Sequence, residues 1–377
     1  MKNKLLVTLG VIFAFVLIIQ ITGKNYIYKA LYYNYTKIDN PEIFHSRIIA
    51  AENPVATPSH KDYNKKPLTP ALRTELEGLE TVSLLMIKND SVILEEYWDG
   101  YDETSTSNSF SMAKSITSIL CGIAIKDGYI TSVEDKISKY MPSYLELERD
   151  RISIKDILQM SSGLSWYESY GMPISDVTEA YYGTDLLSLI NRRKPVNKAG
   201  KYHKYMSGDT QILGMTVSRA VKKPLSNFAS ERLWNRIGME RDAFWSLDVE
   251  GGEEKAYCCI HSGARDYAKL GMLWMHQGNW KGDQIVDTAY VDASIKAVNL
   301  PDLDQPNENI DYYGYQWWMM KHRGNDVFYM RGIHGQFVLC YPEEDVVIVR
   351  LGHQRGEKID HCFPEVHHML DFAVKQF

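Results

Sequence analysis

Residues 111–126 read SMAKSITSILCGIAIK, and this stretch holds the chain's only Ser-x-x-Lys sequence, formed by Ser111 and Lys114. Apolar residues recur along it with the spacing of one buried helix face, namely Ile116, Ile119, Leu120, Ile123 and Ala124. The dipeptide Asp127-Gly128 then supplies a helix stop. The pattern predicts a helix whose first turn carries Ser111 and Lys114 on the same side.

The spacing between Ser111 and Lys114 has a chemical meaning. A serine hydroxyl becomes a useful nucleophile when a neighbouring base takes its proton. A lysine one turn away can be that base if burial or nearby charge destabilises its ammonium form. The helix N-terminus also favours a developing negative charge. The alternative is that Ser111 only caps the helix and that Lys114 is only a solvated charge.

The composition is that of an ordinary globular protein, because 45% of the 377 residues are hydrophobic and 24% are charged. This length allows one large domain or two lobes. The net charge of −6, together with a sequence that has no basic stripe, argues against a nucleic-acid partner.

The first residues differ from the rest of the chain. Lys2 and Lys4 precede an uncharged run from Leu5 to Thr22. Eighteen residues of helix span roughly 27 Å, close to the thickness of a bilayer's hydrocarbon core. We favour an uncleaved signal-anchor, a transmembrane helix, over a cleaved signal peptide, because the run is long and a small-x-small cleavage site is poorly formed. Either reading puts the body outside the cytoplasm, in the periplasm or at the cell exterior.

The five cysteines do not form the pattern of a disulfide framework, since their number is odd and Cys258 and Cys259 are adjacent. We expect buried free thiols, although an extracytoplasmic location would permit one bridge.

Strand patterns lie at both ends of the chain and helical patterns lie between them. Two strands joined by a hairpin turn are predicted near the N-terminus, at Thr81–Ile87 and Val92–Trp98. Four more are predicted near the C-terminus, at Tyr312–Met320, Val327–Arg331, Gln336–Tyr341 and Val346–Leu351. The order predicts an α+β fold, with one antiparallel sheet built from N- and C-terminal strands, flanked by helices, and an inserted, mostly helical lobe.

Two further segments complete a pattern with Ser111-x-x-Lys114. They are Tyr205-Met206-Ser207 and the run from Arg331 to Gln336, which reads RGIHGQ. In this order the three resemble the motifs of the serine β-lactamase and penicillin-binding-protein superfamily, in the branch of class C β-lactamases, related esterases and aminohexanoate-dimer hydrolases. Three lesser segments also resemble family motifs, at Ile130–Pro142, Ile154–Leu164 and His261–Gly271. The similarity runs from about residue 80 to residue 352.

The resemblance implies a β-lactamase-like fold and a serine hydrolase that cleaves ester or amide bonds of small molecules or short peptides. Ser111 would form the acyl-enzyme, and Lys114 and Tyr205 would share the role of base. The backbone N–H groups of Ser111 and Gln336 would bind the oxyanion, with Gly335 letting the strand approach the substrate. No cofactor is implied.

Two departures from the family pattern concern the substrate. Ser207 stands where β-lactamases have Asn, and Ile333 stands where they have the third-motif lysine. Arg331 or His334 is a candidate to replace that lysine's charge. We expect Ser207, His334, Gly335 and Gln336 to contact the substrate or the oxyanion, and we expect poor turnover of β-lactams.

Three parts of the chain are predicted. Residues 1–23 form the anchor, residues 24–75 a stalk and N-terminal wrap, and residues 76–377 the hydrolase domain, with its helical lobe at about 112–310.

Competing interpretations were weighed against this one. An α/β-hydrolase would need Gly-x-Ser-x-Gly, and the sequence has none. A metal hydrolase is disfavoured because the sequence has no His-Glu-x-x-His and its C-terminal histidines lack ligand spacing. The open alternative is a sensor or binder of cell-wall peptides or β-lactams that is acylated without turnover.

Overall fold

The computed structural model describes residues 2–34 and 36–377, with side chains from residue 4 onward. The described helices are α1 (Lys2–Thr22), α2 (Tyr26–Tyr33), α3 (Pro70–Gly78), α4 (Met112–Lys126), α5 (Ile154–Leu158), α6 (Asp176–Tyr182), α7 (Leu186–Asn191), α8 (Ser207–Val221), α9 (Leu225–Ala229), α10 (Asn235–Ile237), α11 (Ala264–Met275), α12 (Thr288–Ser294) and α13 (Pro364–Gln376). The described strands are β1 (Ser46–Ile49), β2 (Thr81–Lys88), β3 (Ser91–Tyr97), β4 (Ser107–Asn108), β5 (Ala243–Ser246), β6 (Ile260–Ser262), β7 (Asn279–Trp280), β8 (Asp283–Gln284), β9 (Trp318–His322), β10 (Asn325–Gly332), β11 (Gln336–Tyr341) and β12 (Val346–Gly352).

The main sheet joins the two ends of the chain. Its strand order is β3-β2-β12-β11-β10-β9, and every neighbouring pair is antiparallel. The N-terminal hairpin meets the C-terminal strands between β2 and β12, where Leu85 pairs with Val349. The predicted α+β fold with a sheet built from both termini is therefore confirmed.

Helices cover both faces of this sheet, because the strand residues alternate between two cores. On β12, Val347 and Val349 pack into the core that contains α4 and α11. Their neighbour Ile348 packs into the core that contains α3 and α13. The result is three layers, helix on sheet on helix.

Helix α4 lies at the centre of the larger core, between α8 and strands β10 and β11. Every residue from Met112 to Ala124 is buried. The sequence predicted a single buried face, whereas the structure buries the helix on nearly all sides. The polar residues Ser115, Thr117 and Ser118 fit there because each donates a hydrogen bond or shares one with a neighbour.

A second sheet, in the order β1-β5-β6-β4, was not predicted. Strand β1 belongs to the segment interpreted as a stalk and irregular wrap, and it pairs from Ser46 with Ser246 to Ile49 with Ala243. Short strands of this kind depend on a partner far away in sequence, so the local pattern does not reveal them. The division of the chain at residues 23 and 75 stays a prediction.

The predicted strand at Tyr312–Met320 is wrong in its first half, because β9 begins only at Trp318. Gln316 has a left-handed backbone, with φ of 67°. Its side-chain amide donates to the carbonyls of Ile157 and Leu158 and accepts from the hydroxyl of Thr210. These contacts hold residues 312–317 as a buried loop instead of a strand.

The cysteines differ in part from the expectation. Cys121, Cys340 and Cys362 are buried free thiols, as expected. A disulfide bond joins the adjacent Cys258 and Cys259.

The apolar helix α1 is exposed along nearly its whole length. By length and composition it is sufficient to cross a membrane, and a signal sequence near an N-terminus meets the same criterion.

Candidate active site

Ser111 lies immediately before α4, and the residue that precedes it, Phe110, has a strained backbone. Phe110 has a left-handed backbone with φ of 41°. The N–H of Phe110 donates to Oδ1 of Asn108 at 2.9 Å, and this hydrogen bond stabilises the turn before Ser111. Positive φ in a large aromatic residue is costly, and such residues cluster at functional sites.

Lys114 lies one helical turn on from Ser111, as predicted. Its Nζ atom is 3.0 Å from Oγ of Ser111 and 3.0 Å from the carbonyl oxygen of Tyr257. The lysine is only 1% exposed. Lys114 is therefore not a solvated charge, and the Ser111 side chain makes no capping hydrogen bond to α4. Neither part of the capping alternative fits the structure.

Two tyrosine rings enclose the ammonium of Lys114. Its Nζ atom lies 5.1 Å from the ring centroid of Tyr205 and 5.5 Å from that of Tyr257. Both distances are within the range of contacts between a lysine nitrogen and an aromatic ring. Tyr205 itself packs on Trp318, with ring centroids 5.4 Å apart. The structure thus brings together Ser111, Lys114 and Tyr205 from two distant segments.

Ser207 contacts an acidic residue that the sequence did not indicate. Its Oγ atom donates to one carboxylate oxygen of Glu168 at 2.7 Å, and its N–H donates to the other at 2.8 Å. The indole of Trp166 and the hydroxyl of Tyr170 also donate to this carboxylate, at 2.5 and 2.6 Å. Glu168 therefore fixes the start of α8, two residues after Tyr205. It lies in a loop without periodicity, so no sequence signal could have found it.

The third motif is the turn between β10 and β11. Gly332 ends β10, and a side chain there would put its Cβ 2.4 Å from the carbonyl oxygen of Ser109. Glycine therefore lets this strand approach the segment that precedes Ser111. The turn is held from behind by Arg350, which donates to the carbonyls of His334 at 3.1 Å and Gly335 at 2.9 Å. Burial lowers the pKa of Arg350 to about 10.

Gly335 is the last residue of this turn, and Gln336 begins β11. The Gln336 side chain is completely buried and donates to the carbonyls of Gly352 and Ile333. An added Cβ at Gly335 would meet the guanidinium of Arg350, which is not part of the cavity lining. Ile333 and His334 line the cavity instead. The predicted oxyanion role of the Gln336 N–H stays a prediction, and Ile333 is a second candidate for it.

A cavity of about 420 Å³ opens above Ser111. Its lining also includes Ser207, Tyr257 and Cys258, the aromatic residues Tyr181 and Tyr182, and Ala30 and Leu31 of α2. The contribution of α2 was not predicted. This volume suits a small molecule or the end of a longer chain.

Arg355 supplies a positive charge to the cavity lining. Arg331, one predicted replacement for the third-motif lysine, instead stacks on Trp318 with its guanidinium carbon 3.2 Å from the ring centroid, and it does not belong to the lining. His334, the other candidate, lines the cavity, but burial and the charge of Arg355 lower its pKa, so its imidazole is neutral at pH 7. Arg355 follows the last strand in an irregular segment and carried no sequence signal.

A serine hydroxyl that lines a cavity, with a buried lysine and a tyrosine ring beside it, is an arrangement that can support acyl transfer. The family model described as Beta-lactamase matches residues 71–363.

The chain belongs to the beta-lactamase family.

Relatives in this beta-lactamase family are hydrolases. The 6-aminohexanoate-dimer hydrolase of Paenarthrobacter ureafaciens is 24% identical over 297 residues, 75% of this chain and 75% of that protein. A solved structure from Bacillus anthracis, assigned as a 6-aminohexanoate-dimer hydrolase, has a TM-score of 0.75 at 20% identity, covering 90% of this chain and 92% of that one. A class C beta-lactamase mutant has a TM-score of 0.59 at 13% identity, covering 80% of this chain and 94% of that one.

The resemblance drawn from the sequence motifs is thus confirmed at the level of the family and of the fold. The matched family model and the relative from Paenarthrobacter ureafaciens are those of hydrolases with the beta-lactamase fold.

Proposed function

We propose that this protein is a serine hydrolase that cleaves an ester or amide bond of a small molecule or short peptide through an acyl-enzyme on Ser111. The observation that carries the proposal is the 3.0 Å separation between Nζ of Lys114 and Oγ of Ser111 at the end of the cavity. A buried lysine at that distance from a serine has a clear chemical use as its proton acceptor.

Acylation begins when Oγ of Ser111 attacks the substrate carbonyl carbon and its proton passes to the Lys114–Tyr205 pair. The bond to the leaving group then breaks, and the same pair returns the proton to the departing alkoxide or amide nitrogen. Water attacks the acyl-enzyme in the second half of the cycle, and the acid and the free Ser111 hydroxyl are released.

The negative oxygen that forms in each step is stabilised by hydrogen-bond donors that are already in position. In other enzymes, removal of one such donor raises the activation free energy by about 3–4 kcal/mol. The N–H of Ser111 at the start of α4 is one proposed donor, supported by the positive end of the helix. The second comes from the β10–β11 turn, either Gln336 as the family pattern implies or Ile333, which lines the cavity.

The substrate class follows from the cavity lining. Tyrosine rings provide apolar walls, and Arg355 offers a charge that can bind a carboxylate. A linear amide or ester with a distant carboxylate fits these features. The relative that acts on 6-aminohexanoate dimers points to substrates of this shape, without fixing which of them is physiological.

The location follows from α1. An exposed apolar helix of this length, preceded by lysines, supports a membrane-anchored protein with its hydrolase domain outside the cytoplasm.

The experiment is a substrate panel run with the wild type and with Ser111→Ala. It contains a short activated ester, a D-amino-acid amide, an aminohexanoate dimer and a chromogenic cephalosporin. We expect steady-state turnover of at least one ester or amide by the wild type and none by Ser111→Ala. A single burst of product without further turnover on every substrate would instead support the sensor. Equal turnover by Ser111→Ala would exclude the proposed mechanism.

A further inference from the structure

The wall of the catalytic cavity includes the helix that directly follows the apolar helix α1. Ala30 and Leu31, both on α2, line the same cavity as Ser111. Helix α2 is fixed there, because Tyr26, Ile27 and Ala30 are buried in the main core. The ring of Tyr33 also stacks on that of Tyr182, another cavity residue, with centroids 6.3 Å apart.

Helix α2 also lies back against α1 instead of leading away from it. The hydroxyl of Tyr28 is 3.5 Å from the carbonyl oxygen of Val16 and 3.4 Å from Nε2 of Gln20. Val16 precedes the end of α1 by six residues, roughly 9 Å of helix. Tyr28 thus lies beside the last two turns of α1, and α2 itself begins at Tyr26, four residues after α1 ends, so α2 lies next to the end of the apolar helix.

The composition of α2 suits that position. It reads YIYKALYY, and tyrosines concentrate at membrane interfaces because their rings are apolar and their hydroxyls are polar. The exposed Lys24 precedes α2 and the exposed Lys29 belongs to it, and both can contact lipid phosphates. Leu31 is one turn from Tyr28, about 5 Å along the helix. The cavity wall that α2 forms is thus next to the helix that would enter the membrane.

Three exposed apolar residues adjoin residues that line the cavity, and together they are called the collar. They are Tyr32, Met172 and Ile174, whose exposed fractions are 81%, 41% and 57%. Each is next in sequence to a lining residue, Leu31 for the first and Pro173 for the other two. Exposed apolar side chains are unfavourable in water. A membrane interface would bury those of the collar together with those of the apolar helix α1.

We propose that the substrate is a lipid-like ester whose apolar tail stays in the membrane while its carbonyl enters the cavity past α2 to reach Ser111. This inference rests on the proposed function and names its substrate class. The Ser111 hydroxyl oxygen adds to the carbonyl carbon of the ester. The bond between that carbon and the alkoxy oxygen then breaks, and the alcohol leaves with the proton that Ser111 gave up. Water then releases the acid.

The test uses the full-length protein reconstituted in phosphatidylcholine vesicles and two esters with the same leaving group. 4-Methylumbelliferyl oleate is diluted into the vesicle membrane, and 4-methylumbelliferyl acetate is supplied in solution. The variants are Tyr32→Glu and Ile174→Glu in the collar. The matched control is Leu145→Glu, at a leucine that is 64% exposed and neither lines the cavity nor belongs to the collar.

We expect the wild type to cleave both esters. The collar variants should cleave the oleate at least about tenfold more slowly than the wild type. A carboxylate on the collar is costly to move from water into the membrane interface, so it weakens binding of the collar to the membrane. They should keep the acetate rate, which also shows that they fold, and Leu145→Glu should match the wild type on both esters.

The remaining outcomes separate the two proposals. Cleavage of acetate without cleavage of oleate, or unchanged oleate rates in both collar variants, would overturn the lipid substrate and leave the hydrolase intact. Absence of acetate turnover and of any adduct on Ser111 would overturn the proposed function itself. An active mature chain whose N-terminus lies beyond Lys24 would remove the anchor and with it the inference.

Discussion

The Nζ atom of Lys114 lies 3.0 Å from Oγ of Ser111, in a site where the lysine is almost entirely shielded from water. Nζ of Lys114 is also 5.1 Å from the ring centroid of Tyr205. A helical turn holds Ser111 and Lys114 together, and packing on Trp318 holds the ring of Tyr205 beside them.

Ser111, Lys114 and Tyr205 should act as one unit, so the effects of their removal should not add. Lys114→Ala and Tyr205→Phe should each lower kcat for a short ester by about 100-fold or more, since general-base catalysis contributes about that much. The double variant should be little slower than the slower single variant. Steady-state kinetics on all four proteins checks this, and full activity in Tyr205→Phe would exclude the tyrosine from the unit.

Glu168 should position the Tyr205–Ser207 segment through its contacts with Ser207. Glu168→Gln should lower kcat by about tenfold, because charge-assisted hydrogen bonds at the start of α8 are weakened. Ser207→Ala added to Glu168→Gln should have little further effect, since the two share one interaction. The control is Glu231→Gln, which alters an exposed carboxylate that pairs with Lys223. Additive losses in the double variant would show that the contact has no catalytic role.

β-Lactams should be poor substrates. Ser207 lacks an amide to hold the lactam side chain, and Ile333 cannot supply the charge of the family's third-motif lysine. We expect kcat/KM for a chromogenic cephalosporin to be at least about 100-fold below that for a short activated ester, a difference of about 2.7 kcal/mol. Comparable values for the two would contradict this prediction.

Gly332→Ala should damage the site through the backbone. The added Cβ would lie 2.4 Å from the carbonyl oxygen of Ser109, so the strand or the nucleophile segment must move. We expect the free energy of unfolding to fall by about 1–3 kcal/mol and kcat to fall as well. Gly78→Ala is the matched control, because nothing lies within 4 Å of its added Cβ. Thermal unfolding and ester kinetics measure both effects, and a Gly332→Ala protein equal to the control would refute the close approach.

His261 should make the protein sensitive to acid. Burial lowers the pKa of this imidazole to about 4, whereas an unfolded histidine titrates near 6.5. Its contribution to stability is therefore complete above pH 6.5. As the pH falls from 6.5 to 4, the unfolded chain takes up a proton that the folded chain does not, and stability falls by up to about 3 kcal/mol.

The measurement for His261 is thermal unfolding at pH 7 and pH 4.5 in the same detergent. His261→Gln should lose less stability between the two pH values than the wild type. His368→Gln, at a half-exposed histidine beside Glu75, should behave like the wild type. An identical pH dependence in wild type and His261→Gln would contradict the buried neutral imidazole.

The fold was predictable where a pattern is local. Apolar spacing over residues 111–126 predicts α4, and two strand patterns with a hairpin turn between them predict β2 and β3. The order of the motifs also predicts that Ser111, Lys114 and Tyr205 lie together. Strand β1 and the loop at Gln316 were not predictable, because their conformations depend on partners far away in sequence.

Several residues of the candidate site could not be predicted from the sequence for the same reason. Glu168 and Arg355 lie in irregular segments, where neither periodicity nor spacing shows which way a side chain points. The helix α2 reaches the cavity only because the N-terminal part of the chain packs against α6. A sequence can identify a nucleophile and its base from spacing, but the surfaces that meet the substrate depend on tertiary packing.

The most direct measurement is the location of a covalent adduct after reaction with a fluorophosphonate probe, determined by mass spectrometry of the digested protein. We expect the adduct on the peptide that contains Ser111, strong loss of labelling in Lys114→Ala, and no labelling in Ser111→Ala. An adduct on a different serine, or undiminished labelling of Ser111→Ala, would contradict the assignment of Ser111 as the nucleophile.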